Sequence, residues 1–320
     1  MAQVSRGRRS LYSASLRMLS VFIVTFLPDL RVNPAPVRSA GERVSHHDDP
    51  LVTVIDGKAR WRRWLMDLAE YRGALYSLAW RNIRSRYKQA ALGMAWALIQ
   101  PTIQVGVFTI LFGVLARVPS GDVPYPVFAL AGLLPWNVFN KVATDGSQSL
   151  VTNQHIITKL FFPRIYLVIA SGASAMVDAI VTFALLVIVV LYFDVAITAG
   201  VLLLLPAFAG LVIFSLGFAA LLAALNARWR DVSHAVPFLL QIGLFVTPVM
   251  YPASLLPERW HWVAALNPLT GWIALFRAGA VGTPLPDSWT LIVSMILSVT
   301  LATFGVWYFT RAERTIVDVV

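Results

Sequence analysis

Charge and cysteine are both scarce in this chain of 320 residues. It contains no cysteine, which excludes disulfides, thiolate nucleophiles and thiolate metal sites. Charged residues make up only 13% of the sequence, whereas hydrophobic residues make up 58%. A soluble domain has about a quarter of its residues charged, so this chain cannot cover an ordinary water-facing surface. Several apolar runs exceed the roughly 18 residues that a bilayer-spanning helix needs. We therefore predict an all-α, polytopic membrane protein.

Recognisable catalytic motifs are also missing from the sequence. It has no HExxH, GxSxG or paired-carboxylate pattern, and its five histidines lack the spacing of metal ligands. It has no GxxxxGK[ST] phosphate loop either, so the chain cannot hydrolyse ATP by itself. We predict no catalytic residue, no metal and no cofactor.

The N-terminal part divides into two segments. Residues 1–50 are predicted to be a poorly ordered extension, since the apolar run 19–27 is too short to span a bilayer and no convincing cleavage site follows it. Residues 51–91 are predicted to be cytoplasmic and interfacial, because apolar positions recur at helical spacing beside a cluster of basic residues. An ordinary juxtamembrane stop signal is the alternative interpretation. The residues assigned to this interface helix are Arg81, Arg84, Arg86, Tyr87 and Lys88.

Six transmembrane helices are predicted within residues 92–310, followed by a cytoplasmic tail at 311–320. The spans cover 92–115, 125–142, 165–193, 199–225, 232–250 and 289–309. Between the last two, residues 252–280 are apolar but interrupted by prolines and a glycine. Such a segment favours two short re-entrant helices over a complete crossing.

The basic residues test this topology. The formal net charge of +10 does not indicate nucleic-acid binding here, because cytoplasmic loops of membrane proteins carry an excess of Lys and Arg. Six spans with both termini cytoplasmic place the main basic clusters on the same side. A full crossing by residues 252–280 would move the last cluster outside. The clusters are Arg81 to Lys88, Lys159 with Arg164, Arg228 with Arg230, and Arg311 with Arg314.

The connection "NQHIITKLFFPR" at 153–164 combines basic, apolar and aromatic residues. Large exposed apolar patches tend to be interaction sites, so a short helix inserted into a groove of a partner is one interpretation. An amphipathic turn resting on the bilayer is the other. The residues concerned are His155, Ile156, Lys159, Leu160, Phe161, Phe162, Pro163 and Arg164.

Two carboxylates fall inside the predicted spans, and an intramembrane charge is a functional candidate by default. Asp145 lies near the cytoplasmic end of the second span, where solvation explains it. Asp178 lies deeper, among small polar residues. For Asp178 we favour hydrogen bonding between spans over proton coupling, because the sequence suggests no charged relay partner.

The chain is rich in aromatic residues, with 11 tryptophans and 18 phenylalanines. Anchoring at the membrane interface explains most of them. An alternative is an aromatic slide along the first two spans, lining a pore whose substrate would be trapped by many fixed charges. That slide would consist of Phe108, Phe112, Tyr125, Phe128 and Phe139.

Six motifs occur in order from residue 86 onwards: "RYKQAALGMAWALIQP" (86–101), "GLLPWNVF" (132–139), "SLVTNQHIITKLFFPR" (149–164), "ALNARWRDVSHAVPFLLQ" (224–241), "TPVMYPASLLPERW" (247–260) and "LNPLTGWIALFR" (266–277). Together they resemble the membrane subunit of the ABC exporters of bacterial polysaccharides, which export O-antigen, capsule and teichoic-acid chains. The chain departs from that pattern at Ala90, where a hydroxyl residue is common, and at Trp229, where a tyrosine is common.

The resemblance implies a pore-forming half-transporter in the bacterial inner membrane. Two copies would form one pore for a lipid-linked glycan, and two copies of a separate cytoplasmic ATPase would drive it. Residues 153–164 would be the helix that couples to the ATPase. Residues 252–280 would narrow the outer exit, where an emerging sugar chain would pass Tyr251, Trp260 and Trp262.

Three other functions are compared with this one. An ion-coupled secondary transporter would need inverted repeats and ion-coordinating residues within the membrane. A membrane-bound glycosyltransferase would need paired carboxylates or a metal motif. An ABC exporter of a drug, peptide or lipid has the same architecture, and only the motif resemblance argues against it.

Overall fold

The computed structural model describes residues 70–88, 93–157, 162–196 and 199–319. Every regular element within these ranges is a helix, as predicted from the composition. The predicted extension 1–50, most of the predicted interfacial segment, and Lys159, Leu160 and Phe161 of the predicted coupling segment lie outside the described residues.

The first half of the described chain contains five α-helices. A π-helical stretch, Thr109–Leu115, continues the second of them, and the fourth is a single turn. The helices are α1 (Arg72–Lys88), α2 (Trp96–Phe108), α3 (Tyr125–Thr152), α4 (Gln154–Ile157) and α5 (Ile165–Tyr192).

The second half contains five more. Short 3-10 turns, Ala253–Leu255 and Glu258–Trp260, lie between the second and third of these. The helices are α6 (Leu204–Arg228), α7 (Val232–Val246), α8 (His261–Leu266), α9 (Pro268–Val281) and α10 (Ser288–Val319).

Among the described residues, four helical segments are long and apolar enough to cross a membrane: Gly93–Leu115, Ile165–Tyr192, Ala199–Arg228 and Ser288–Glu313. They coincide with the first, third, fourth and sixth predicted spans. A membrane-spanning helix is defined by its length and apolarity, so the hydropathy of the sequence is enough to locate it.

The second and fifth predicted spans differ from these four. Helix α3 has 28 residues, but polar and charged side chains interrupt its apolar surface. Helix α7 has 15 residues and is therefore about 22 Å long, less than the roughly 30 Å of a bilayer core. The fifth span was predicted to reach Met250, but α7 ends at Val246 because Thr247 is extended. Pro248 follows Thr247, and a proline disfavours the helical conformation of the preceding residue.

Helix α3 lies at the centre of the packing. Most of its residues are buried, and it contacts α2, α5, α6, α7 and α9. Small residues bring neighbouring helices close together, as is usual in membranes. An added methyl at Gly146 would collide with Ala219 of α6, and one at Gly217 would collide with Ala302 of α10.

The segment predicted to be re-entrant consists of two short helices, α8 and α9, with a break at Asn267. Pro268 occupies the first helical position of α9, and the Asn267 side chain accepts a hydrogen bond from the Leu269 N–H (3.0 Å). The helix ends at Gly282, whose φ of 70° is left-handed and costs glycine little. Helix α9 then packs against α3, α6 and α10.

Candidate functional site

Helices α2, α3 and α5 each carry polar residues at four-residue spacing. Residues four apart lie on the same face of a helix, so each helix presents one polar stripe within an otherwise apolar surface. The stripes are Gln100 and Gln104 on α2, Asn137, Lys141 and Asp145 on α3, and Ser174, Asp178 and Thr182 on α5.

These stripes meet at a cavity of about 490 Å³, to which α1 adds Arg86. That volume falls within the range of small-ligand sites, about 300 to 1,000 Å³. We call this cavity the polar cleft. Its polar lining residues are Arg86, Gln100, Gln104, Asn137, Asn140, Lys141, Thr144, Asp145, Asp178 and Thr182.

A charge network joins three helices at the polar cleft. Asp178 accepts hydrogen bonds from the Tyr87 hydroxyl and the Lys141 ammonium, and the Arg86 guanidinium lies 3.8 Å from the same carboxylate. Arg86 also lies 3.6 Å from Asp145. Burial, followed by the bond to Asp178, raises the pKa of Tyr87 above its ordinary value, so its phenol stays protonated and donates.

This network bears on both interpretations of Asp178. Hydrogen bonding between helices, which the sequence favoured, is present in the structure. The premise behind that preference was wrong, however, because Lys141 and Arg86 are charged partners of Asp178. The four-residue spacing of Asn137, Lys141 and Asp145 was the signal in the sequence that could have revealed the polar stripe on α3.

The predicted interface-helix residues divide into two groups. Arg86 lines the polar cleft and Tyr87 bonds to Asp178 there, while Arg84 and Lys88 are exposed outside the cleft. Arg84 lies over the ring of Trp80, at 5.8 Å from its centroid. Arg81 donates to the Asn153 side-chain oxygen (2.5 Å), just before α4. Helix α1 is therefore bonded both to the polar cleft and to the start of the predicted coupling segment.

The described part of the coupling segment is partly packed into the protein. His155 is exposed, and Ile156 packs against the core with Ile157. Phe162, expected to be available to a partner, is buried at 8% exposure.

Pro163 and Arg164, which end the predicted coupling segment, are half-buried. The Arg164 N–H donates to the Glu313 carboxylate (3.0 Å), and the Arg164 guanidinium donates to the Glu313 carbonyl. These bonds tie the end of the coupling segment to α10.

The predicted pore aromatics also divide by burial. Tyr125, Phe128 and Phe139 are buried within the chain, and Phe139 stacks on Phe214 with ring centroids 5.6 Å apart. Phe108 and Phe112 are half-buried and make an edge contact at 5.9 Å.

The aromatic residues predicted near the outer exit are more accessible. Trp260 and Trp262 are 47% and 56% exposed. Tyr251 is half-buried, and its hydroxyl donates to the Phe245 carbonyl at 3.1 Å.

Arg277 is a functional candidate to which the sequence interpretation assigned no role. It is buried in α9 and donates to the carbonyl of Val249 at 2.6 Å, with the Pro248 carbonyl 3.4 Å away. Nearby, the Tyr125 hydroxyl donates to the Met250 carbonyl (2.9 Å). These bonds hold the turn after α7 against α3. A lone arginine within the otherwise apolar run of α9 was the available signal.

Comparisons with known proteins cover most of the described chain. The family described as ABC-2 type transporter matches residues 73–281. The O-antigen export system permease protein RfbA of Myxococcus xanthus is 29% identical over 75% of this chain and 92% of that protein. The protein of the same name from Klebsiella pneumoniae is 27% identical over 62% and 76%, respectively. The polysialic acid transport protein KpsM of Escherichia coli is 24% identical over 73% and 91%.

Proposed function

The chain belongs to the ABC-2 type transporter family, and we propose that it is the membrane-spanning subunit of an ATP-driven exporter that moves a lipid-linked, O-antigen-like polysaccharide out across the bacterial inner membrane. The observation that carries this proposal is the similarity over 92% of the length of an O-antigen export permease. The ordered motifs of residues 86–277 support the same conclusion.

A separate ATPase supplies the energy, because the sequence has no phosphate-binding loop of its own. Two copies of this ATPase dock at the connection 153–164. The bond from Arg81 to Asn153 links that connection to α1, and the bonds from Arg164 to Glu313 link it to α10. Movement of the ATPase therefore has two direct routes into the membrane helices.

A second copy of the chain completes the pore. Helices α2 and α7 each carry a row of exposed apolar side chains, and α7 is too short to cross a bilayer alone. Contact with a second copy through these faces would cover them and support α7. The exposed residues are Ile103 and Val107 on α2, Ile110, Leu111 and Val114 on its π-helical continuation, and Phe238, Leu239, Ile242, Phe245 and Val246 on α7.

The proposed topology has six membrane-crossing segments with both termini cytoplasmic. Helix α3 crosses in spite of its polar stripe, because other helices cover that stripe. Helices α8 and α9 re-enter from the outside, where a non-helical break such as Asn267 survives within a protein environment. Basic residues of the 81–88, 228–230 and 311–314 segments then face the cytoplasm.

The accessible aromatic residues line the proposed route of the glycan. Phe108 and Phe112 lie along it, and Tyr251, Trp260 and Trp262 lie near its outer exit. Flat aromatic faces bind sugar rings without trapping them by charge. Tyr125, Phe128 and Phe139 are buried, so we assign them to the wall that supports this route and not to its surface.

Deletion of the gene in its native bacterium tests the proposal. The surface polysaccharide should disappear, and its lipid-linked precursor should accumulate on the cytoplasmic side. Complementation with the wild-type gene should restore export only if the partner ATPase has an intact phosphate loop. Unchanged surface polysaccharide, together with altered resistance to a drug or peptide, would support the alternative class of exporter.

A further inference from the structure

We propose that the polar cleft is a binding site for a neutral, hydroxyl-rich sugar unit of the exported polymer. This inference rests on the proposed function, because it takes the substrate to be a glycan. It adds where the glycan binds on the cytoplasmic half of the membrane domain, and which side chains recognise it.

The first argument is the hydrogen-bonding capacity of the lining. Helix α2 contributes Gln100 and Gln104, and α3 contributes Asn137 and Asn140. A carboxamide has both donor and acceptor atoms, so it can bond to a sugar hydroxyl in either direction. Asn137 donates to the Gln104 oxygen at 3.0 Å, which uses only one of its two N–H groups.

The backbone of α2 adds a further acceptor. Pro101 lies inside the helix and has no N–H to donate to the carbonyl of Ala97. Both residues line the polar cleft. A carbonyl without its usual helical donor is available to a hydroxyl group.

The second argument is energetic. Polar side chains inside a membrane helix are costly and tend to mark substrate pathways. Other exposed positions of α2, such as Leu98, Ile103 and Val107, are apolar, so crossing the bilayer does not require Gln100 and Gln104. Their cost is explained if a ligand uses them.

The third argument is charge, which distinguishes a sugar from a phosphate. The polar cleft contains two cations, Arg86 and Lys141, and two carboxylates, Asp145 and Asp178. Each cation already lies within 4 Å of a carboxylate, so the charges offset one another. Phosphate sites gather unpaired Arg and Lys donors, and a phosphate here would face both carboxylates. A neutral ligand avoids that repulsion, while the carboxylates still accept bonds from hydroxyls.

The fourth argument is space. The remaining wall of the cleft includes Ala97, Ala175 and Ala179. These small side chains leave a cavity of about 490 Å³, which suits a sugar ring with its substituents.

Cysteine protection tests this proposal in the transporter reconstituted with its ATPase. The chain has no cysteine, so Thr144→Cys and Thr182→Cys each place one thiol in the polar cleft. Ser233→Cys, in the first turn of α7, is the control outside it. The rate of modification by N-ethylmaleimide is measured with no addition, with lipid-linked polymer extracted from the host, with the same polymer freed of its lipid, and with inorganic pyrophosphate.

Polymer at ten times its dissociation constant should slow modification of the cleft thiols about tenfold, because only unoccupied protein reacts. Polymer freed of its lipid should also protect them, whereas pyrophosphate should not, and the Ser233→Cys rate should stay unchanged.

Several outcomes would overturn the proposal. Protection by pyrophosphate alone would assign the polar cleft to a phosphate group. Failure of both cleft thiols to react with the free reagent would mean that no solute enters. Intact export without protection by polymer would overturn this inference while leaving the proposed function standing. If the proposed function itself were wrong, the parent protein would show no ATP-dependent export.

Discussion

The guanidinium carbon of Arg277 lies 3.9 Å from the ring centroid of Phe128. This contact joins α9 to α3 inside the protein, and the same guanidinium donates to the Val249 carbonyl. A buried cation over an aromatic face is stabilised by the ring quadrupole. Arg277 therefore fastens three segments at once: α3, α9 and the turn that follows α7.

We expect Gly132→Ala to disrupt this arrangement. An added methyl group would collide with the Arg277 guanidinium and the Val249 carbonyl. Displacing Arg277 leaves buried polar groups unsatisfied, at a cost of about 1 to 3 kcal/mol each, so the thermal unfolding temperature in detergent should fall. Gly106→Ala is the matched control, because an added methyl there meets nothing within 4 Å. Equal unfolding temperatures for the two variants would contradict this account of Arg277.

The contact between Lys141 and Asp178 gives a second prediction. Their side chains are 14% and 23% exposed, so water screens the attraction between them only weakly. Lys141→Met and Asp178→Asn should each lower the free energy of unfolding. The double variant should lose less of this free energy than the two single variants together, and the difference, the coupling energy, should be about 1 to 3 kcal/mol.

The same double-mutant cycle on the pair Arg86 and Asp145 is the comparison. The side chains of this pair are 40% and 36% exposed, and exposed ion pairs contribute about 0 to 1 kcal/mol. Thermal unfolding of all the variants measures both couplings. A larger coupling for the exposed pair would contradict the assignment of Asp178 to the centre of the network.

A third prediction separates two neighbouring phenylalanines. Phe162 is buried against the core, and truncating a buried phenylalanine costs about 3 to 5 kcal/mol. Phe162→Ala should therefore reduce stability and the amount of protein in the membrane. We expect Phe161→Ala to leave both unchanged but to weaken export, because we propose that Phe161 contacts the ATPase.

Co-purification of the ATPase and export per transporter molecule are the measurements for this pair. Full export by Phe161→Ala, with the ATPase co-purifying at normal yield, would contradict a role for Phe161 in coupling.

A fourth prediction concerns topology, and the cysteine-free sequence makes it simple to test. Ser120→Cys and Ala253→Cys should react with a membrane-impermeant thiol reagent added to intact cells without an outer-membrane barrier. Asn153→Cys and Ser233→Cys should react only after the inner membrane is opened. External labelling at residue 153 would reverse the proposed orientation and separate the coupling segment from the ATPase.

The helices were more predictable from the sequence than their rotation about their axes. Length and apolarity locate α2, α5, α6 and α10, since a span needs little else. Burial of Phe128 and Phe139 was not predictable in this way. Lipid is as apolar as a protein core, so a phenylalanine facing lipid and one facing another helix give the same hydropathy.

The polar cleft was only partly predictable for a related reason. The spacing of Gln100 and Gln104, or of Asp178 and Thr182, is visible in the sequence as a stripe on one helix. Which stripes meet depends on the tertiary arrangement. Tyr87 and Asp178 are 91 positions apart, and no local pattern connects them.

Transport into inside-out membrane vesicles tests the central claim most directly. Vesicles containing the chain and its ATPase are supplied with lipid-linked polysaccharide on the outer surface, which corresponds to the cytoplasmic face, and the polymer reaching the lumen is measured. We predict accumulation that requires ATP, both subunits and an intact phosphate loop in the ATPase. Entry driven by an ion gradient without ATP, or no entry with both active subunits present, would contradict the account.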